Sequence, residues 1–169
     1  MPGLTRHAST SRRVRAFTLV EVMVVVVIIG MLAAAGMPGY RQITMRSKAT
    51  ALENDLRQFA GAIQTYTLQN GRWPADGDPQ TVPPELVSSL PANFTQRTPI
   101  GGVYKWNYDI PADGIAAKAA IVVQTASGNP VSDDQGLFEL IDRKMDDGVL
   151  ESGNIQVGST NSLVFIIEK

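Results

Sequence analysis

A nearly continuous apolar run occupies residues 17–37, and a regular alternation of apolar and polar residues follows it. The run reads FTLVEVMVVVVIIGMLAAAGM. It has roughly the 20 residues that a helix needs to cross about 30 Å of hydrocarbon. A cleavable secretory signal is the alternative, because Ala33, Ala34 and Ala35 resemble its small-residue cleavage site, but its apolar core is shorter. The pattern predicts a transmembrane helix over residues 17–38.

Beyond the run, apolar residues recur at intervals of three and four, which is the spacing of one face of an α-helix. These residues are Ala49, Leu52, Leu56, Phe59, Ile63 and Tyr66. They predict that residues 39–70 continue the first helix as an amphipathic helix, with this face buried against a globular domain. Pro38 lacks an amide hydrogen and clashes with the preceding turn, so a kink or local weakness is expected near it.

Residues 71–169 are expected to form a globular domain of mixed secondary structure. Alternating and β-branched apolar residues predict strands. These strands are predicted at 103–109, 115–125 and 162–168. One short helix is predicted at 84–90, and a second is predicted to open with a Ser132–Gln135 capping box and to close at Gly148. We therefore predict an α+β fold in which a long N-terminal helix packs on a small antiparallel β-sheet.

The charge is distributed unevenly along the chain. Residues 1–16 contain four arginines and no acid, whereas residues 17–169 carry 11 basic and 16 acidic residues. An acidic body argues against a nucleic-acid partner, which requires clustered lysine and arginine. Arginines before an apolar helix hold that end in the cytoplasm, so we expect the domain at 71–169 to be exported.

Catalytic and metal-binding motifs are absent from the sequence. It contains no cysteine and one histidine, and it lacks a P-loop, a nucleophile elbow and a His-Glu metal motif. Three groups of acids could hold a hard cation: Asp76/Asp78, Asp133/Asp134 and Asp142/Asp146/Asp147. None of them matches the D-x-[DN]-x-[DN]-G calcium template. The sequence predicts neither an enzyme nor a cofactor or metal site.

Glu21 is the one charged residue inside the apolar run. A carboxylate at the centre of a membrane helix costs roughly 2.5–3.5 kcal/mol on insertion scales, so such residues usually have a partner or a function. The stretch Arg15-Ala16-Phe17-Thr18-Leu19-Val20-Glu21-Val22 resembles the leader of type IV prepilins and type II secretion pseudopilins.

The resemblance implies how the N-terminus is processed. A prepilin peptidase would cut between Ala16 and Phe17, which removes the basic leader 1–16, and the new amino group of Phe17 would be methylated. Ala16 stands where the family usually has glycine, but alanine is also small. The resemblance further implies that the helix unwinds partly between Gly30 and Pro38 in an assembled filament. Major secretion pseudopilins often hold calcium in a C-terminal loop. Their ligands do not map onto this sequence, and calcium is left as the alternative to having no cofactor.

Glu21 is the predicted assembly residue. Cleavage would place the α-amino group of Phe17 about one helical turn from this carboxylate. In a filament, the carboxylate could pair with the amino group of a neighbouring subunit, so that both charges are neutralised only on assembly. The alternative is that Glu21 extends to the cytoplasmic headgroups near the positive end of the helix dipole.

These observations predict a structural subunit of a type II secretion pseudopilus. The alternatives are a type IV pilus subunit and a membrane-tethered binding module that does not polymerise. An anchored enzyme would need a catalytic constellation that the sequence lacks. The implied partners are the prepilin peptidase, other pilin or pseudopilin subunits, an inner-membrane assembly platform and membrane lipid. The implied location is the inner membrane, with the N-terminus in the cytoplasm and the domain outside it.

Overall fold

The computed structural model describes residues 17–169, and for residues 36–38 it describes the backbone alone. Within residues 17–169, two helices, four strands and two short 3-10 helices form in the order α1, two 3-10 helices, β1, β2, α2, β3 and β4. Their bounds are α1 Leu19–Asn70, 3-10 helices Pro84–Leu86 and Ala92–Thr95, β1 Val103–Tyr108, β2 Ala119–Gln124, α2 Gln135–Met145, β3 Ile155–Val157 and β4 Leu163–Glu168. The predicted leader 1–16, including Ala16, lies outside the described residues.

The chain divides into two compact units, one ending at Tyr40 and the other spanning Arg41–Lys169. The described part of the first unit is helical from Leu19 onward. The second unit contains the rest of α1 and all of the strands.

The core of the second unit lies between α1 and one face of the sheet. The predicted apolar face of the helix is buried there, with Leu52, Leu56, Phe59 and Ile63 fully inaccessible to solvent. The ring of Phe59 makes edge-to-face contacts with Phe94 at 5.1 Å and with Tyr104 at 4.9 Å between centroids. The helix residues recur at intervals of three and four and so share one face of α1, and this face packs on the domain as the sequence predicts.

The sheet is antiparallel throughout, with strand order β1-β2-β4-β3. The α+β fold class predicted from the sequence, a long N-terminal helix packed on a small antiparallel sheet, is thus confirmed. The apolar β4 pairs with strands on both sides and is a central strand. The far face of the sheet carries a second buried cluster that includes Val122, Val164 and Ile166.

Several predicted elements differ in extent from those observed. The strand predicted at 115–125 begins only at Ala119, because residues before it form the turn in which Ala112 and Ile115 exchange two backbone hydrogen bonds. The helix predicted at 84–90 is reduced to the 3-10 turn Pro84–Leu86. After Leu86 the backbone forms a turn, in which the N–H groups of Ser89 and Leu90 both donate to the Leu86 carbonyl.

The helix α2 does not begin with the predicted Ser132–Gln135 capping box. Ser132 is not the N-cap; the helix is capped by Asp134, whose side chain accepts a hydrogen bond from the Leu137 backbone N–H. The Ser132 hydroxyl accepts from the Asp134 N–H instead. The helix ends at Met145, before the predicted Gly148, and β3 was not predicted at all because three residues are too few to show an alternation.

Asp113 ties the β1–β2 loop to the turn between β3 and β4. Its Oδ2 accepts hydrogen bonds from the Ser162 hydroxyl at 2.6 Å and from the Thr160 hydroxyl at 2.7 Å. Its Oδ1 accepts from the Ser159 hydroxyl at 2.9 Å. Burial alone would raise the pKa of this carboxyl, but the hydrogen bonds outweigh it and lower the pKa to about 2.

Asp113→Asn is expected to destabilise the domain by roughly 1 kcal/mol at pH 7, after allowance for solvent screening. Since the pKa is lowered in the folded state, the stabilisation is present above the unfolded value and is lost as the pH falls through about 2. The measurement is urea unfolding of the full chain in detergent at pH 7 and at pH 2. A stability difference between variant and wild type that is equal at both pH values would contradict the charge-based explanation.

Candidate functional site

Glu21 lies in the first turn of α1, where it forms a reciprocal hydrogen-bonded pair with Thr18. Its Oε2 accepts from the Thr18 backbone N–H at 3.2 Å and from the Thr18 hydroxyl at 3.2 Å. The Glu21 N–H in turn donates to the Thr18 hydroxyl oxygen at 3.2 Å. This is a capping box, which satisfies backbone donors that have no partner within the helix. The Thr-x-x-Glu spacing of this box is present in the sequence at Thr18 and Glu21, but it was not among the predicted caps.

Residues 17–35, which include the start of α1, expose all of their apolar side chains. Phe17 is 81% exposed and Leu19 is 75% exposed, and the valines and isoleucines up to Ile29 are all at least half exposed. Such a continuous apolar surface is rarely left in contact with water. By length and composition alone, α1 contains a segment able to cross a membrane. Its apolar surface therefore requires lipid or other protein chains around it.

The predicted processing residue Phe17 and the predicted helix-break residues Gly30 and Pro38 lie on or beside the same helix. Phe17 lies two residues before the start of α1, so the predicted cleavage would release a free amino group close to the start of the helix. Gly30 is inside α1, and a methyl group added there would meet nothing within 4 Å. The backbone at Pro38 is also helical. Unwinding between Gly30 and Pro38 concerns an assembled filament and stays a prediction.

The edges of the sheet are covered by loops of the same chain. On the outer side of β1, the N–H of Gln80 donates to the Tyr104 carbonyl at 2.8 Å, and the N–H of Gly77 donates to the Trp106 carbonyl at 3.2 Å. On the outer side of β3, the Val157 N–H donates to the Leu150 carbonyl at 3.1 Å. Covered edges do not favour assembly by strand addition. The apolar part of α1 is thus the better candidate for an assembly surface.

A second candidate feature is the group of acids at the end of α2. In the described part of the chain, oxygens of Asp142, Asp146 and Asp147 all lie within 4.8 Å of one another. Asp142 is fully buried, and within residues 17–169 neither of its oxygens has a partner with normal hydrogen-bond geometry. Burial, followed by the charges of Asp147 and Asp146, raises the pKa of Asp142, which the Gly148 backbone N–H opposes.

The other two acidic groups have structural partners. Asp76 Oδ1 accepts from the Tyr108 backbone N–H at 3.1 Å, and Asp134 caps α2. Asp134 Oδ2 also pairs with Arg41 at 3.2 Å. These contacts explain Asp76 and Asp134 without a cation. Of the three groups considered from the sequence, only the one at the end of α2 contains a buried carboxylate without a partner.

Comparison with known proteins identifies related sequences. Residues 11–37 match the family model described as the prokaryotic N-terminal methylation motif. Over 80 residues the chain is 38% identical to the fimbrial protein EcpC of Eikenella corrodens. These residues are 45% of this chain and 52% of that protein. Over 64 residues it is 39% identical to the type II secretion system core protein G of Pseudomonas aeruginosa. These residues are 38% of this chain and 45% of that protein.

A third relative is the type IV major pilin protein PilE1 of Neisseria gonorrhoeae. It is 35% identical over 60 residues, which is 36% of each chain. The chain thus spans about half or less of the length of each of these relatives. The names of the relatives describe fimbrial, pilin and secretion-system core proteins, in keeping with a structural role and not with catalysis.

Proposed function

Because the chain is a type IV pilin-like protein, we propose that it is a structural subunit of a type II secretion pseudopilus that supports protein export. The observation that carries the proposal is the exposed apolar helix with Glu21 in its first turn. In a single subunit, a helix of this kind acts as a membrane anchor. In a filament the same helix also forms the contact between subunits, because packed helices of neighbouring subunits replace the lipid.

Processing comes first in the proposed sequence of events. The arginines of residues 1–16 hold the N-terminus in the cytoplasm, so that the unit Arg41–Lys169 is on the other side of the membrane. A prepilin peptidase then cuts between Ala16 and Phe17, and the amino group of Phe17 is methylated. The match of residues 11–37 to the methylation motif supports this step.

Assembly follows from electrostatics at the start of α1. In the single subunit, Glu21 accepts hydrogen bonds from Thr18 but has no cationic partner among the described residues. The amino group of a neighbouring subunit's Phe17 would supply one. Two charges that are each costly in hydrocarbon would then neutralise each other on assembly, which also sets the register of the subunits. The assembly platform of the inner membrane would add subunits one at a time.

Mass spectrometry of the protein extracted from membranes tests the processing step. We expect a mature chain that begins at Phe17 and carries one added methyl group on its amino terminus. In cells that lack the prepilin peptidase, the same protein should retain residues 1–16. A mature N-terminus at any residue other than Phe17 would refute the assignment of the cleavage site.

A type IV pilus subunit is the second candidate, and the similarity to fimbrial and pilin proteins favours it. The absence of cysteine favours the pseudopilus, since many surface pilins close their C-terminal loop with a disulfide. Deletion of the gene separates the two. Loss of a secreted protein with surface pili unchanged supports the pseudopilus, whereas loss of surface pili with secretion unchanged supports the pilus. A tethered binding module would leave both unchanged.

A further inference from the structure

A groove lies between α1 and α2, and all of its lining residues belong to the unit Arg41–Lys169. Its volume is about 300 Å³, and its charged lining residues are Arg46 of α1 and Glu139 and Arg143 of α2. The helices are close at one end of it, since a methyl group added at Gly136 would already contact Met45 Cε at 3.6 Å. We call this space the α1–α2 groove. It has room for a small polar group.

Charges of both signs line the α1–α2 groove without being paired inside the chain. Arg46 and Arg143 supply two guanidinium groups, and Glu139 supplies one carboxylate. Among the side chains that the structure describes, none of these three forms an ion pair. The next residue along α2, Lys144, is by contrast paired with Glu53 at 3.2 Å. The groove therefore offers two cations and one anion to a ligand.

The groove also has an apolar side. Met45 and Leu140 line it, and both are partly buried and pack against the core of the domain. A ligand that fills the groove would contact these side chains as well as the charged ones. Such a lining fits an amphipathic molecule better than a free inorganic ion, which has no apolar part to bury.

The lining residues of α1 follow the predicted membrane segment closely in sequence. That segment ends at Pro38, and Arg46 is eight residues further along the chain. Eight helical residues rise about 12 Å, and the headgroup layer beyond the hydrocarbon is about 5–8 Å thick on each side. Side chains of a helix tilt toward its N-terminus, so Arg46 is directed toward the predicted membrane segment. Lipid headgroups are therefore within reach of the groove.

We propose that the α1–α2 groove binds the headgroup of a phospholipid that carries both a phosphate and a primary amine. Guanidinium groups bind phosphate oxygens through paired, charge-assisted hydrogen bonds, and a carboxylate accepts hydrogen bonds from an ammonium group. Two arginines and one glutamate complement such a zwitterion. A headgroup with a phosphate alone would leave Glu139 beside a negative charge. The inference requires α1 to be anchored in a membrane, and it is independent of the choice between pseudopilus and pilus.

Native mass spectrometry of the full chain in detergent micelles tests the proposal. The probes are phosphatidylethanolamine, phosphatidylglycerol and phosphatidylcholine, with identical acyl chains and at equal concentrations. We expect the ratio of lipid-bound to lipid-free protein to be at least about fivefold higher for phosphatidylethanolamine than for phosphatidylglycerol. Phosphatidylcholine should also be retained less, because its quaternary ammonium group has no N–H to donate to Glu139.

Substitutions in the groove separate a specific site from general attraction to lipid. Arg46→Gln and Arg143→Gln change exposed residues, so both should fold, and each should lower the retention of phosphatidylethanolamine at least about fivefold. Glu139→Gln should remove the preference for phosphatidylethanolamine over phosphatidylglycerol. Lys48→Gln is the matched control, because it removes an exposed cation of α1 that does not line the groove. This variant should retain lipid as the wild type does.

Two results would overturn the proposal. One is equal retention of phosphatidylethanolamine and phosphatidylglycerol by the wild type. The other is a loss of lipid in Lys48→Gln as large as that in Arg46→Gln, which would mean that any cation near the membrane has the same effect. Neither result bears on the filament assignment, which depends on Phe17 and Glu21 and is tested by processing and assembly.

Discussion

Glu21→Gln is expected to reduce the yield of sheared or sedimented filaments at least tenfold while leaving the subunit in the membrane. Removing one partner of a buried charge pair costs roughly 3–5 kcal/mol, and tenfold corresponds to only about 1.4 kcal/mol. Glutamine also accepts hydrogen bonds at the third position of a capping box, so the local cap with Thr18 is preserved. The variant therefore tests the negative charge separately from the helix start. The measurement is immunoblotting of filament and membrane fractions.

Thr18→Ala is the matched control for this experiment. It removes the hydroxyl that accepts from the Glu21 N–H but leaves the carboxylate in place. Loss of an N-cap side chain costs about 0.5–2 kcal/mol and should weaken assembly less than Glu21→Gln does. Equal filament yields for wild type and Glu21→Gln would rule out the pairing of Glu21 with a neighbouring amino group. A Thr18→Ala defect as severe as that of Glu21→Gln would assign the effect to the cap.

Elements with a long periodic pattern could be predicted from the sequence. The face of α1 that carries Leu52, Leu56 and Phe59 is buried as expected, because its spacing of three and four is maintained over several turns. The alternation in β1 and the apolar character of β4 likewise led to strands close to those observed. In each case several neighbouring positions repeat the same apolar pattern, which indicates burial on one face or on both.

Elements determined by single contacts could not be predicted in the same way. Both Ser132 and Asp134 are good N-cap residues, and the choice between them depends on which side chain reaches the free N–H of Leu137. The strand β3 exists because Ile155 and Val157 pair with residues of β4 that lie ten and six positions away in sequence. A local pattern of three residues does not contain this information.

The two candidate sites also differ in how far each can be predicted from the sequence. Glu21 stands out in the sequence because a carboxylate inside an apolar run is rare, whereas its local partner Thr18 is an ordinary residue. Asp142, Asp146 and Asp147 are visible as a group of acids, but solvated acids are common on protein surfaces. What distinguishes this group is the burial of Asp142, which results from tertiary packing.

Phe59→Ala is expected to destabilise the unit Arg41–Lys169 by about 3–5 kcal/mol, a large part of the stability of a domain this size. Phe59 is fully buried and contacts the rings of both Phe94 and Tyr104, so its removal leaves a cavity where α1 meets the sheet. Urea unfolding followed by tryptophan fluorescence measures the loss. Leu68→Ala is the control on the same helix, because Leu68 is 86% exposed and should change stability by less than about 0.5 kcal/mol. Similar losses for the two variants would mean that the buried face of α1 does not hold the domain together.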